Sequence, residues 1–173
     1  MNNEIELAQE PFFTRGYVAA LCICVIVTLF VNLCIVSFAV VVGDSMLPTL
    51  ETGNVLLINK TVHSYQPLDI VVVRVGREYL IKRVIGTPGD TIYITGGVVY
   101  VNGEKFQDVV SIPTEPSGIA ATPITLKENE YFVLGDNRPH SRDSRYESVG
   151  VINVKQMQGK AFFSLFPFRS LGQ

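Results

Sequence analysis

The residues with the most chemical potential lie in four short segments. Gly43-Asp44-Ser45-Met46-Leu47-Pro48-Thr49 sets a hydroxyl directly after a Gly-Asp pair. A serine there suits an ordinary turn, where Gly, Asp and Ser are common, and equally a nucleophile displayed at the end of a strand. Tyr79-Leu80-Ile81-Lys82-Arg83-Val84-Ile85-Gly86 embeds two cations in an apolar run. As a strand it turns Leu80, Lys82 and Val84 to one face and Ile81, Arg83 and Ile85 to the other. Lys82 is then either an ammonium reaching back to water from an edge or an amine stripped of water by its neighbours. Pro88-Gly89-Asp90 closes that run. The segment Leu134 to Arg145 (LGDNRPHSRDSR) ends in eleven residues holding two Asp and three Arg, dense for a chain only 17% charged. Such residues organise loops through side-chain to backbone hydrogen bonds.

The chemistry these types could perform is acyl transfer. A serine hydroxyl is a weak nucleophile and needs a base beside it. His63 and His140 are the only histidines, and no HExxH spacing or cysteine cluster completes a metal site. A lysine can serve as the base if desolvation lowers its pKa from about 10.4 far enough to leave a free lone pair. Leu80 and Val84, on the face of Lys82, are suited to doing so.

The elements that must position these residues are mostly strands. Asn54–Asn59, Ile70–Val75 and Tyr79–Ile85 are Val/Ile-rich runs punctuated by Pro67, Gly76 and Gly86. Thr91–Thr95 and Val98–Val101, joined by Gly96-Gly97, read as a tight hairpin, with a second turn at Asn102-Gly103. Asp108 to Pro123 is rich in Pro, Ser, Thr and Gly and reads as an extended loop or small cap. Tyr131–Leu134, Val149–Val154 and Lys160–Leu165 resume the strands. The aromatic run Phe162 to Phe168 suits either a core strand or a dip into a bilayer interface. The expected class is mainly β: a folded, partly closed antiparallel sheet with a hairpin and cap-like insertion over 91–130.

Ahead of the strands, Tyr17 to Val42 holds 26 residues without a charge. About 20 apolar residues cross the roughly 30 Å hydrocarbon core of a bilayer. The stretch is too long for a buried core helix or for the apolar region of a cleaved signal peptide. The expectation is an uncleaved transmembrane helix over 17–36, a cytoplasmic segment over 1–16 and an extracytoplasmic domain over 37–173. Arg15 before the span, with no basic residue after it until Lys60, favours that orientation. Ser37 to Val42 is β-branched enough to form a strand leading into Ser45. Cys22, Cys24 and Cys34 all fall inside the span, so the exported part has no disulfide framework. A net charge of −2 argues against a nucleic-acid partner.

Taken together, Ser-Met-x-Pro-Thr (Ser45 to Thr49), Lys-Arg-x-x-Gly-x-x-Gly-Asp (Lys82 to Asp90) and Gly-Asp-Asn-x-x-x-Ser-x-Asp-Ser-Arg (Gly135 to Arg145) resemble the three signature boxes of bacterial-type type I signal peptidases. Their order behind an N-terminal span agrees, and the similarity runs nearly to the C-terminus. The resemblance implies a membrane-bound Ser-Lys endopeptidase that cuts exported preproteins after small-x-small motifs such as Ala-x-Ala. It implies Ser45 as nucleophile and Lys82 as base, with Ser141 hydrogen-bonded to the lysine amine. Asp143 and Arg145 would form a supporting ion pair, and Asp136 and Asn137 would shape the loop.

The backbone N–H of Ser45 would donate to the oxyanion. Some family members have a serine two residues before the nucleophile, where this chain has Gly43, so the second donor expected here is an amide of the Gly43-Asp44 turn. Leu68 stands where the family usually has glycine. The substrate would add as a strand beside the segments before Ser45 and Lys82, against walls formed by Val41, Met46, Leu50 and Ile81. The implied partners are preproteins and the lipid bilayer, with no cofactor, metal or nucleic acid. A self-cleaving Ser-Lys repressor would need a basic DNA-binding domain and an Ala-Gly cleavage site, and this chain has neither. An inactive tethered β module would lack a catalytic residue, and none is missing.

Overall fold

In the computed structural model, residues 15–171 are described, less the side chains of residue 15 and of residues 31–34. The expected cytoplasmic segment, residues 1–16, therefore lies outside the described residues as far as residue 14, and so does the side chain of Cys34. The chain divides into two compact units, Met1–Ile35 and Val36–Gln173. The first contributes helix α1, Arg15–Cys34. Apolar side chains project from all round it: Val18, Leu21, Ile23, Val25, Ile26, Leu29 and Phe30 are all exposed. Among the described residues, no helix is long and apolar enough to cross a membrane. The side chains of α1 are described only over 16–30.

The second unit is antiparallel β structure. Its larger sheet has eight strands: β1 (Val36–Val40), β2 (Val55–Asn59), β3 (Ile70–Val75), β4 (Glu78–Gly86), β9 (Glu130–Leu134), β10 (Ile152–Asn153), β11 (Met157–Phe166) and β12 (Phe168–Ser170). They run in the order β1-β2-β11-β3-β4-β9-β10, with β12 on β11. The smaller sheet, β7-β6-β5-β8, is built from β5 (Thr91–Thr95), β6 (Val98–Val101), β7 (Glu104–Lys105) and β8 (Ile124–Thr125).

Alternation sets the layers. In β2, Leu56 and Ile58 are buried while their neighbours are half-buried. They meet Val41, Met46, Leu50, Ile70, Val72 and Ala161 in one apolar cluster. Val71, Val73, Val84, Tyr131 and Val133 form a second cluster. Ile85, Phe132 and Leu134 join the inner face of the small sheet in a third.

Strand β4 changes environment along its length. Glu78–Ile81 is exposed to half-buried, whereas everything from Lys82 onward is buried. The reason is register: β3 pairs with Glu78–Arg83 of β4, and β9 begins only at Arg83, opposite Leu134.

Two expectations need correction. Val149–Val154 is not one strand, because Val149 and Gly150 both donate to the Tyr146 carbonyl and Gly150 turns through a φ of 63°. Only Ile152–Asn153 remains extended. The C-terminal aromatic run is not wholly core either: Ala161 and Ser164 are buried, but Phe166 and Phe168 are 73% and 81% exposed.

Candidate active site

Strand β1 delivers the chain to Val41, whose N–H donates to the Asn54 carbonyl at 2.9 Å. Gly43 then turns with a φ of 89°, a region natural to glycine. Its N–H donates to Thr52 Oγ1 at 3.0 Å. Ser45 follows, half-buried, at the head of a tight turn in which Leu50 N–H donates to the Met46 carbonyl at 2.8 Å.

Lys82 is 2% exposed. Its amine lies 2.7 Å from Ser45 Oγ and 2.9 Å from the Ile81 carbonyl oxygen. Burial pushes the Lys82 pKa down to about 8. Arg142 pushes the same way, while Asp143 and Asp136 oppose it. A primary amine with a pKa near 8 that touches a hydroxyl is equipped to take its proton.

Loop residues after β9 hold the serine from behind. The Asn137 N–H donates to the Ser45 carbonyl at 3.0 Å, and Asn137 Nδ2 donates to the Asp44 carbonyl at 3.0 Å. Asp143 accepts from the Gly135 N–H at 3.0 Å and pairs with Arg145 at 2.8 Å, both side chains being fully buried. Asp136 takes a two-pronged contact from Arg83, at 2.8 Å from Nε and 2.6 Å from Nη2, and also accepts from the Thr49 hydroxyl. That network joins the serine turn, β4 and the polar loop. Removing one member of such a buried pair typically costs about 3–5 kcal/mol.

Ser141 does not make the bond expected of it. Among the described residues its buried hydroxyl has no hydrogen-bond partner; it packs against Gly135, and the Lys82 amine is held instead by the Ile81 carbonyl. Of the two amides in the Gly43-Asp44 turn, that of Gly43 is engaged by Thr52 Oγ1.

A groove of about 200 Å³ beside Ser45 is lined by Val41, Met46, Ile81 and Lys82, together with Ala39, Val72 and Leu80 among others. Leu50 is not among the lining residues. It is fully buried in the apolar cluster behind the groove, so it is a core residue rather than a wall.

Thr52 acts on the site with no signal in its sequence setting, whereas Arg83 and Thr49 stand in the first two boxes with no role attached to them until their contacts with Asp136 supply one. Leu68 adopts a φ of 74°, the left-handed region natural to glycine, and its carbonyl accepts from Arg83 at 2.8 Å.

A protein-family model described as signal peptidase, peptidase S26, matches residues 14–166. Signal peptidase I of Bacillus caldolyticus is 38% identical over 163 residues, covering 85% of this chain and 87% of that one. Signal peptidase I S of Bacillus subtilis is 34% identical over 168 residues, covering 88% and 89%. A crystal structure of a signal peptidase I from Enterococcus faecalis aligns with a TM-score of 0.44 and 30% identity, over 56% of this chain and 96% of the other.

Proposed function

The chain belongs to the signal peptidase S26 family of serine endopeptidases, and from that premise we propose that it removes signal peptides from exported preproteins with Ser45 as nucleophile and Lys82 as general base. The observation that carries the assignment is the 2.7 Å contact between Lys82 Nζ and Ser45 Oγ at a lysine that burial has made easy to deprotonate. With a pKa near 8, about one molecule in ten holds the free amine at pH 7.

In the reaction, Ser45 Oγ attacks the scissile carbonyl carbon while its proton passes to Lys82 Nζ. The oxyanion forms against the Ser45 N–H. Collapse breaks the peptide C–N bond, and the Lys82 ammonium returns its proton to the leaving amine. Water, deprotonated by the same lysine, then attacks the Ser45 ester; the C–Oγ bond breaks, Lys82 returns the proton to Ser45 Oγ, and the signal peptide carboxylate is released. Asp136, Asn137, Asp143 and Arg145 hold the turn and the loop in place.

The substrate adds as a strand between β1 and the first half of β4. This reading is supported by the groove, to which both contribute, and it requires the sheet to curl into a partly closed form. Val41, Met46 and Ile81 leave room there for small side chains, which fits the small-x-small motif.

The anchor reading is supported by the 26 uncharged residues from Tyr17 to Val42 and by a 20-residue α1, which rises about 30 Å. Residues 1–16 are then cytoplasmic, 17–36 span the membrane and 37–173 work outside it. Exposed Phe166, Phe168 and Val42 suit contact with the bilayer surface.

Full-length protein reconstituted into lipid vesicles should float with them and cut an added preprotein after its Ala-x-Ala motif. Ser45→Ala and Lys82→Ala should float equally and not cut. Retained turnover in either variant would sink the dyad, and failure of the wild type to float would sink the anchor.

A further inference from the structure

Arg138 is 1% exposed and takes no part in the proposed dyad. A guanidinium keeps its charge, so inside a protein its donors must all be met. Its fork reaches in two directions. Nε donates to the Gly135 carbonyl at 2.9 Å. On the other side, Nη2 donates to Asp108 Oδ2 at 2.6 Å and Nη1 to the Thr114 hydroxyl. Thr114 is itself buried, and its N–H donates to the Gly97 carbonyl at 2.8 Å, which fastens this stretch to the β5–β6 hairpin. Asp108 and Thr114 thus belong to the small-sheet side of the molecule.

Gly135 is the end of the fork that touches the chemistry. Its Cα lies so close to the Ser45 carbonyl oxygen that an added Cβ would stand 2.5 Å from it. Its N–H donates to Asp143, the carboxylate that most opposes the lowering of the Lys82 pKa.

We propose that Arg138 is a positioning residue that transmits the placement of Asp108 and Thr114 to Gly135, and so sets the spacing of Ser45 and Lys82. The proposal rests on the dyad reading above. It makes the 108–114 stretch a working part of the site, with Asp108 as the far anchor of the fork. A staple that only stabilised the fold would lower the folded fraction and leave each folded molecule unchanged.

The test uses the full chain in detergent with a peptide carrying Ala-x-Ala, comparing Arg138→Lys, Asp108→Asn and the double variant. Glu128→Gln, at an exposed position outside that stretch, is the control. The folded fraction is counted by circular dichroism, and the Lys82 amine is titrated by pH-dependent labelling and mass spectrometry. We expect kcat per folded molecule to fall about 10–100-fold in Arg138→Lys and about 3–10-fold in Asp108→Asn, with KM within about threefold. The double variant should be no worse than Arg138→Lys, because the two act through one link. The Lys82 titration should be displaced in both single variants.

Unchanged kcat per folded molecule with an unchanged Lys82 titration overturns the proposal, whatever happens to thermal stability. If the wild type itself does not cut the peptide, the dyad reading has failed, and the Lys82 titration alone decides: displaced in the variants it supports the link, unchanged it overturns it.

Discussion

At Lys82 a charge is confined where water is scarce, and the consequences can be worked out for both activity and stability. The amine must be free to accept the Ser45 proton, so kcat/KM should rise about tenfold per pH unit below its pKa and level off above about 8. Stability carries the imprint of the same shift in the adjoining pH window. The folded state releases the proton near 8 and the unfolded chain near 10.5, so the unfolded state binds more protons between those values. Stability therefore increases with pH through that window, and below it the cost of the buried ammonium is borne in full. Denaturant titrations of the wild type should show this rise and those of Lys82→Met should lack it; identical slopes would contradict a buried, titrating lysine.

Residue type and local setting left Ser45 and Lys82 each open between a bland part and a catalytic one, and the resemblance of the three boxes singled them out as a pair. The Arg83–Asp136 contact was not legible, because it joins residues 53 positions apart and no local spacing encodes it. Leu50 was misread as a groove wall for a similar reason. Proximity in sequence to Ser45 does not reveal that the turn directs its side chain into the cluster of Leu56 and Ile58.

At the scale of elements, β4 explains how one strand both buries an amine beside Ser45 and leaves an open edge. Its first half lacks a second neighbour and its second half is covered by β9, with Lys82 the first buried residue at the change. Hydrophobic alternation predicted the strand and its faces, but the point where β9 begins depends on long-range register. The turn leaving β9 is equally exacting. A methyl at Gly135 would crowd the Ser45 carbonyl oxygen and run into Ser141 Oγ. Gly135→Ala should therefore displace the nucleophile and reduce kcat about 100-fold with little change in KM. Peptide-cleavage kinetics at near-wild-type rate in that variant would show that the close approach is not needed.

Across the whole molecule, the chain divides into a helical unit and a β unit. All three apolar clusters lie within Val36–Gln173, so the β unit carries its own core. An anchor at its N-terminus would raise the local concentration of membrane-held substrates without adding a contact to the site. The break between the units at residue 35 falls close to the end of the apolar span read from the sequence, because the β-branched residues that follow leave the helix for β1.

The central claim is that Ser45, activated by Lys82, attacks a substrate held by its small residues. A peptidyl phosphonate ending in Ala-x-Ala reports on all three parts, since it leaves a stable adduct on the attacking oxygen. Mass spectrometry should locate a single adduct on Ser45, formed at a rate that rises with pH to a plateau above about 8 and absent from Lys82→Ala. An adduct on another residue, or one on Ser45 whose formation ignores both pH and Lys82, would contradict the account.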